Sequence, residues 1–151
     1  MRKYYMIFAM LLCGLLSVTT TSCSDDDKDE PIAYDKIPSV ARSFVSKFYP
    51  GINVTRVVME SDHGTTEYEV YLANGHDVTF DVSGEWTDVD APSGQKIPDG
   101  IAPLPIVSYV ANYYPGDGIN EIAKEPYGYE VELISGTELE FDHNGEFLRV
   151  S

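Results

Sequence analysis

Phe44-Val45-Ser46-Lys47-Phe48-Tyr49-Pro50-Gly51 is written twice in this 151-residue chain; its second copy is Tyr109-Val110-Ala111-Asn112-Tyr113-Tyr114-Pro115-Gly116. Each copy ends a stretch of apolar residues at helical spacing. Each is followed by strand-like runs that finish in an Asp-x-x-Gly-Glu turn, at Asp81 and at Asp142.

Upstream of the first copy, Ile37, Val40, Ala41, Phe44, Val45 and Phe48 form one apolar stripe, which predicts an amphipathic helix. Asp35 is expected to cap it, Pro38 suits its first turn, and Pro50 stops it. Four strands are expected next: Val54 to Met59, Glu67 to Ala73, Asp77 to Val82 and Trp86 to Val89. The second alternates cleanly, with Tyr68, Val70 and Leu72 against Glu67, Glu69 and Tyr71, which marks a sheet with one buried and one wet face. Asn74-Gly75 is a hairpin signal.

Residues 91–102, rich in Pro, Ser and Gly, read as a linker. The second helix begins near Asp99 or near Pro103, and Pro105 favours the later start. Helix ends align at a shift of 65 residues (Phe44 to Tyr109), strands at 61 (Tyr68 to Tyr129). The missing four residues fall in the first hairpin, so a shorter turn is expected around Pro126-Tyr127-Gly128. Matched pairs include Val70/Val131, Leu72/Leu133, Phe80/Phe141 and Gly84/Gly145. The fold class is therefore α+β, as two tandem repeats over residues 36–90 and 103–151, each a helix on a four-stranded antiparallel sheet.

Residues 1–22 read as an export signal: Arg2 and Lys3, then an apolar run from Tyr5 to Leu16, too short for a membrane span. Thr20-Thr21-Ser22-Cys23 resembles a lipobox, so Cys23 is the expected lipidation site and membrane anchor; Thr20 departs from the usual Leu. An ordinary signal peptide with an incidental Cys is the alternative. Residues 23–35 follow as an acidic, disordered tether. It resembles the export signal that sends some lipoproteins to the outer face of the outer membrane; the periplasmic face is the alternative. After removal of the signal, eight basic residues face 25 acids, a net charge of −17, which repels nucleic acid and favours a cationic partner or loosely held cations. Cys13 leaves with the signal, so the mature domain has no thiol for a disulfide, metal site or nucleophile.

The helix, Tyr-Pro-Gly, the Tyr-Glu-Val strands and the terminal Asp-x-x-Gly-Glu together resemble the PepSY-like family of secreted bacterial proteins, also described as β-lactamase-inhibitor-like. The resemblance spans residues 36–151 in two copies. It implies two α+β units side by side and a sheet surface that binds proteins, and it assigns no inhibitory residue to a position here.

Asp81 and Asp142 could offer carboxylates to Ca²⁺, but one loop supplies too few oxygens, and an Asp here ordinarily binds backbone N–H groups of its own turn. Glu69, Glu130, Glu132, Glu138 and Glu140 are expected on the wet face. His63, His76 and His143 have no metal-ligand spacing and read as solvated loop histidines. No nucleophile motif, phosphate loop or zinc motif occurs, so neither catalysis nor a cofactor or metal is expected. Tyr71, Trp86, Tyr113, Tyr114 and Tyr127 make a candidate binding surface, the alternative being that they complete the core. The expected function is a lipid-anchored extracytoplasmic binding module for an unknown protein or envelope ligand. The alternative is an inhibitor of a secreted or envelope hydrolase.

Overall fold

The computed structural model describes residues 28–62 and 64–151. The expected signal over residues 1–22, Cys23 with the start of the tether, and His63 lie outside them. The elements run β1 (Lys28–Pro31), α1 (Ser39–Phe48), β2 (Val54–Asp62), β3 (Thr65–Leu72), β4 (Asp77–Asp81), β5 (Trp86–Asp90), α2 (Leu104–Tyr113), β6 (Ile119–Glu125), β7 (Gly128–Leu133), β8 (Glu138–Asp142) and β9 (Phe147–Val150).

Among the described residues, nine strands join one antiparallel sheet in chain order. Where the sequence predicts two sheets side by side, β5 and β6 pair directly, Val89 opposite Ile122, and the sheet is continuous. A free edge on β5 would leave a row of unpaired N–H and C=O groups; the fold-back of residues 91–103 brings β6 against it. At the other end, Lys28–Pro31 is a strand rather than part of a disordered leash. Its register, Asp29 opposite Glu60 and Pro31 opposite Val58, gives the edge of β2 a partner.

Both helices cover the same face. Val70, Leu72, Val78, Phe80, Val89, Ile122, Val131, Leu133, Leu139 and Phe141 join Ala41 and Val45 of α1 and Ile106 and Val110 of α2 in one core. Phe44 meets Phe80 edge-on at 5.5 Å, and Tyr109 meets Phe141 in the same manner at 5.4 Å. Gly84 and Gly145 each lie under a helix start, where a Cβ would strike Pro38 or Pro105.

Neither helix uses a side-chain cap. Pro38 and Pro103 hold the N-cap positions with extended backbone, ψ 145° and 141°. Asp35, expected as the first cap, sits instead in a 3₁₀ turn over Tyr34–Lys36, because the extended Pro38 separates it from the helix. The later start of α2 is the observed one. Pro105 falls in its first turn, where its missing N–H costs nothing.

Bulges interrupt the ladders between Val54 and Arg56 and between Ile119 and Glu121, and again at Thr79/Phe80 and Glu140/Phe141. The β6–β7 turn is not shorter than the β2–β3 turn; each is two residues. The missing four residues come from the strands, nine and eight residues in β2 and β3 against seven and six in β6 and β7.

The linker is fastened rather than loose. Ala91, Ile97 and Ile101 are buried. The Asn120 side chain, at the bulge of β6, donates from Nδ2 to the carbonyls of Ala91 (3.0 Å), Pro92 (3.1 Å) and Gln95 (2.8 Å). Asn120→Ala strands those carbonyls and should cost about 2 kcal/mol; Asn120→Asp faces them with a carboxylate and should cost more. Urea unfolding curves of the two variants test the order.

Candidate functional site

The second face of the sheet carries no helix among the described residues, and its register dictates its chemistry. Side chains opposite one another across an antiparallel pair share a face. Across five neighbouring strands the pairs on this side are Asp77 with Asp90, Asp90 with Glu121, Glu121 with Glu132 and Glu132 with Glu138. These five carboxylates form one row from β4 to β8. Glu130 stands opposite Glu140 in the next row, and Glu60, Glu67 and Asp81 form a third. The register places Arg56 and Arg149 on the same face. Like charges directly opposed in a sheet repel, and Asp77, Asp90, Glu121, Glu130 and Glu67 each engage further neighbours.

Glu60 and Glu140 respond in opposite directions. Partial burial, with Glu69, Asp29 and Glu67 nearby, holds the Glu60 carboxyl above its ordinary range. Glu140 is the exception: only 7% exposed, it accepts from Arg149 Nη2 at 2.7 Å and Ser151 Oγ at 2.9 Å, and the arginine draws its carboxyl down. Among the described residues, no three His, Cys, Asp or Glu side chains form a group that could hold a metal ion.

The two Asp-x-x-Gly-Glu carboxylates serve their turns. Asp81 Oδ1 accepts from Ser83 N (2.8 Å), Ser83 Oγ (2.6 Å) and Glu85 N (3.0 Å). Asp142 Oδ1 accepts from Asn144 N and Glu146 N, both at 2.8 Å. Burial pushes the Asp81 carboxyl up, but these bonds outweigh it and the net shift is downward; Asp142 is drawn down chiefly by the Glu146 N–H.

The five candidate aromatics are not brought together. Tyr71 lies on the acidic face with the Arg56 guanidinium 5.5 Å from its ring, and burial followed by a bond to Glu69 raises its hydroxyl's pKa. Trp86 faces the helix side, 6.5 Å from Tyr129 and with Lys124 Nζ 4.3 Å from its ring. Tyr113 is 68% exposed and packs on Tyr109 at 4.5 Å. Tyr114 is the C-cap of α2. Tyr127, in the β6–β7 turn, donates to Glu130 Oε2 at 3.2 Å. Strand alternation assigned Tyr71 to the wet face; the bulge at Thr79/Phe80 makes Trp86 the partner of inward Phe80.

His76 is not a solvated loop residue. It is 6% exposed, and its Nδ1 lies 3.4 Å from the buried Tyr49 hydroxyl. The tight Asn74-Gly75 turn tucks it beneath the end of α1, a placement that only the turn signal hinted at. Burial lowers its pKa from 6.5, and Asp90 opposes that shift. The folded form therefore binds fewer protons than the unfolded chain in that window. Its contribution to stability is present above pH 6.5 and declines as pH falls through the lowered folded value. His76→Gln should remove this acid-dependent part: between about pH 7 and 5 the variant's unfolding free energy should fall less than that of wild type. His143, by contrast, is exposed, with Nε2 3.1 Å from the Pro126 carbonyl.

Residues 66–149 match the family model "Putative beta-lactamase-inhibitor-like, PepSY-like". Among solved structures the chain is similar to a "putative periplasmic protein of unknown function" from Bacteroides vulgatus (32% identity, TM-score 0.78, covering 82% of this chain and 99% of that one). It is also similar to a "putative calcium-regulated periplasmic protein" from Bacteroides thetaiotaomicron (34%, TM-score 0.77, 85% and 99%). A further "putative periplasmic protein" from Bacteroides vulgatus aligns at 32% with TM-score 0.77, again covering 85% and 99%. No curated protein matches.

Proposed function

Since the chain belongs to the PepSY-like, β-lactamase-inhibitor-like family, we propose that it is an extracytoplasmic binding module whose open sheet face engages a cationic partner. The observation that carries this is the carboxylate row Asp77, Asp90, Glu121, Glu132 and Glu138. Five carboxylates gathered on one face present a negative field that draws a positively charged ligand. The module is built as two tandem copies of one unit; the matched bulges and the glycines beneath both helix starts support that reading. It is lipidated at Cys23 and held on the outer membrane facing outward, which the Thr20-Thr21-Ser22-Cys23 motif and the acidic residues after it support. Labelled palmitate incorporation that persists in Cys23→Ser would refute the anchor, and protease shaving of intact cells tests the leaflet.

The binding test is capture from the native envelope by wild type and by the triple variant Asp90→Asn, Glu121→Gln, Glu132→Gln. Wild type should retain a specific, salt-sensitive partner, and the variant should lose it. Equal capture by both would refute the sheet face as the binding surface. A captured hydrolase whose activity falls on binding would make the module an inhibitor. A second reading, in which calcium is held loosely by the field of this row without a formed metal site, is suggested by the words "calcium-regulated" in the name of the Bacteroides thetaiotaomicron relative. Calcium should then raise the melting temperature of wild type more than that of the triple variant.

A further inference from the structure

Helix α2 contains no charged residue: it reads Leu104-Pro105-Ile106-Val107-Ser108-Tyr109-Val110-Ala111-Asn112-Tyr113. Ile106 and Val110 are buried, but Leu104 is 76% exposed and Val107 41%. Beside this helix, the fastened linker leaves a half-open cavity of about 260 Å³. Ile97, Val107, Val110 and Ile119 give it an apolar lining, and Lys96, Asp99 and Asp117 stand around it. Lys96 Nζ is paired with Asp99 at 3.0 Å, so the net charge at the cavity is the single negative charge of Asp117. Asp117 Oδ1 is fixed by the N–H groups of Gly118 (2.8 Å) and Ser135 (3.3 Å).

The first half of the chain shows what the corresponding helix face accommodates. There Tyr34 shares the wall of an open pocket with Val45, Ser46 and Val54, the counterparts of Val110, Ala111 and Ile119. Its ring packs against the core, and its hydroxyl donates to the Arg42 carbonyl at 3.4 Å. The segment beside α2 contributes no aromatic ring; it supplies Lys96, Ile97, Pro98 and Asp99.

We propose that the α2 cavity is a binding site for an aromatic ring that carries a cationic group. An apolar cavity of roughly 150 Å³ already admits a benzene ring, so this one has room for a ring and its substituent. The Asp117 carboxylate supplies the counter-charge, and Val107 and Ala111 supply the apolar wall. The site lies on the helix side, apart from the acidic sheet face, and borrows from the preceding reading only the correspondence of α1 with α2.

Two-dimensional ¹H–¹⁵N NMR titrations of the soluble domain with tyramine, p-cresol and 3-(4-hydroxyphenyl)propionate test it. Saturable shifts should appear at Ile97, Val107, Ala111 and Gly118. Tyramine should bind about fivefold tighter than uncharged p-cresol, and the anion should bind weakest. Asp117→Asn should bring tyramine to the level of p-cresol. Ala111→Phe, at an exposed position, should block all three ligands with the spectrum otherwise retained. Equal affinities for the three compounds, unsaturable shifts, shifts outside the cavity, or binding that survives Ala111→Phe would each overturn the proposal.

Discussion

Replacing Gly128 with alanine should abolish the cooperative thermal transition of the domain. Gly128 opens β7 at φ +145°, in a region that L side chains rarely adopt. A Cβ there would collide with the Phe141 carbonyl oxygen and the Asp142 carbonyl carbon, and would lie 2.7 Å from Asp142 Cα. These are backbone atoms of the neighbouring strand, so no rotamer change relieves the clash; β7 and β8 must separate. That separation would disturb the pairs Tyr129 with Phe141 and Val131 with Leu139, at the centre of the second half's core. The cost should exceed about 4 kcal/mol, a large share of the roughly 5–15 kcal/mol that holds an ordinary domain together. Gly116→Ala is the control: its φ is +87° but nothing lies within 4 Å of the added carbon, so it should cost only about 1 kcal/mol. Similar melting curves for the two variants would show that β8 gives way without loss of the fold.

Gly128 also shows where the sequence was legible and where it was not. Its counterpart in the first half, at the strand shift of 61, is Glu67, opposite Asp81 as Gly128 is opposite Asp142. The four-residue gap could be counted from the sequence and placed in the hairpin. That it shortens two strands rather than a turn could not, because turn length depends on where pairing stops. Inward positions such as Val70, Phe80, Val131 and Phe141 were legible because alternation reports burial directly. The same alternation placed the glutamates on the wet face. Their assembly into one row across β4 to β8 was hidden, because it depends on β5 pairing with β6, a contact between distant segments without a local signal. β1 was hidden for a related reason: Lys28-Asp29-Glu30-Pro31 has no strand propensity, and an unpartnered edge on β2 decides its conformation. Asn120 read as an ordinary polar residue, since its three carbonyl partners lie 25 to 29 residues earlier in the chain.

Deleting Phe147–Ser151 should convert the domain into an aggregating species that binds hydrophobic dyes. Phe147 stacks on Tyr109 at 4.5 Å, with the ring planes 11° apart, and meets Phe141 edge-on at 5.9 Å. It therefore links α2 to the last core layer of the sheet. Its loss alone, as Phe147→Ala, should cost about 2–3 kcal/mol, because the side chain is only partly buried. The whole deletion does more. It removes the Val150 partner of Leu139 and the Ser151 N–H bond to the Glu138 carbonyl, which turns β8 into an open edge and uncovers the otherwise buried Phe141. It also takes away both groups that bind Glu140, the Arg149 guanidinium and the Ser151 hydroxyl, so a carboxylate opposite Glu130 loses its counter-charge. Arg149→Ala isolates that electrostatic part and should be milder, since the apolar contacts of Phe147 remain. Size-exclusion chromatography and dye binding of the three variants at one protein concentration should rank them deletion, Phe147→Ala, Arg149→Ala. A deletion variant that stays monomeric and melts with the full chain would mean that the sheet closes its cooperative unit at β8, with β9 as a dispensable appendage.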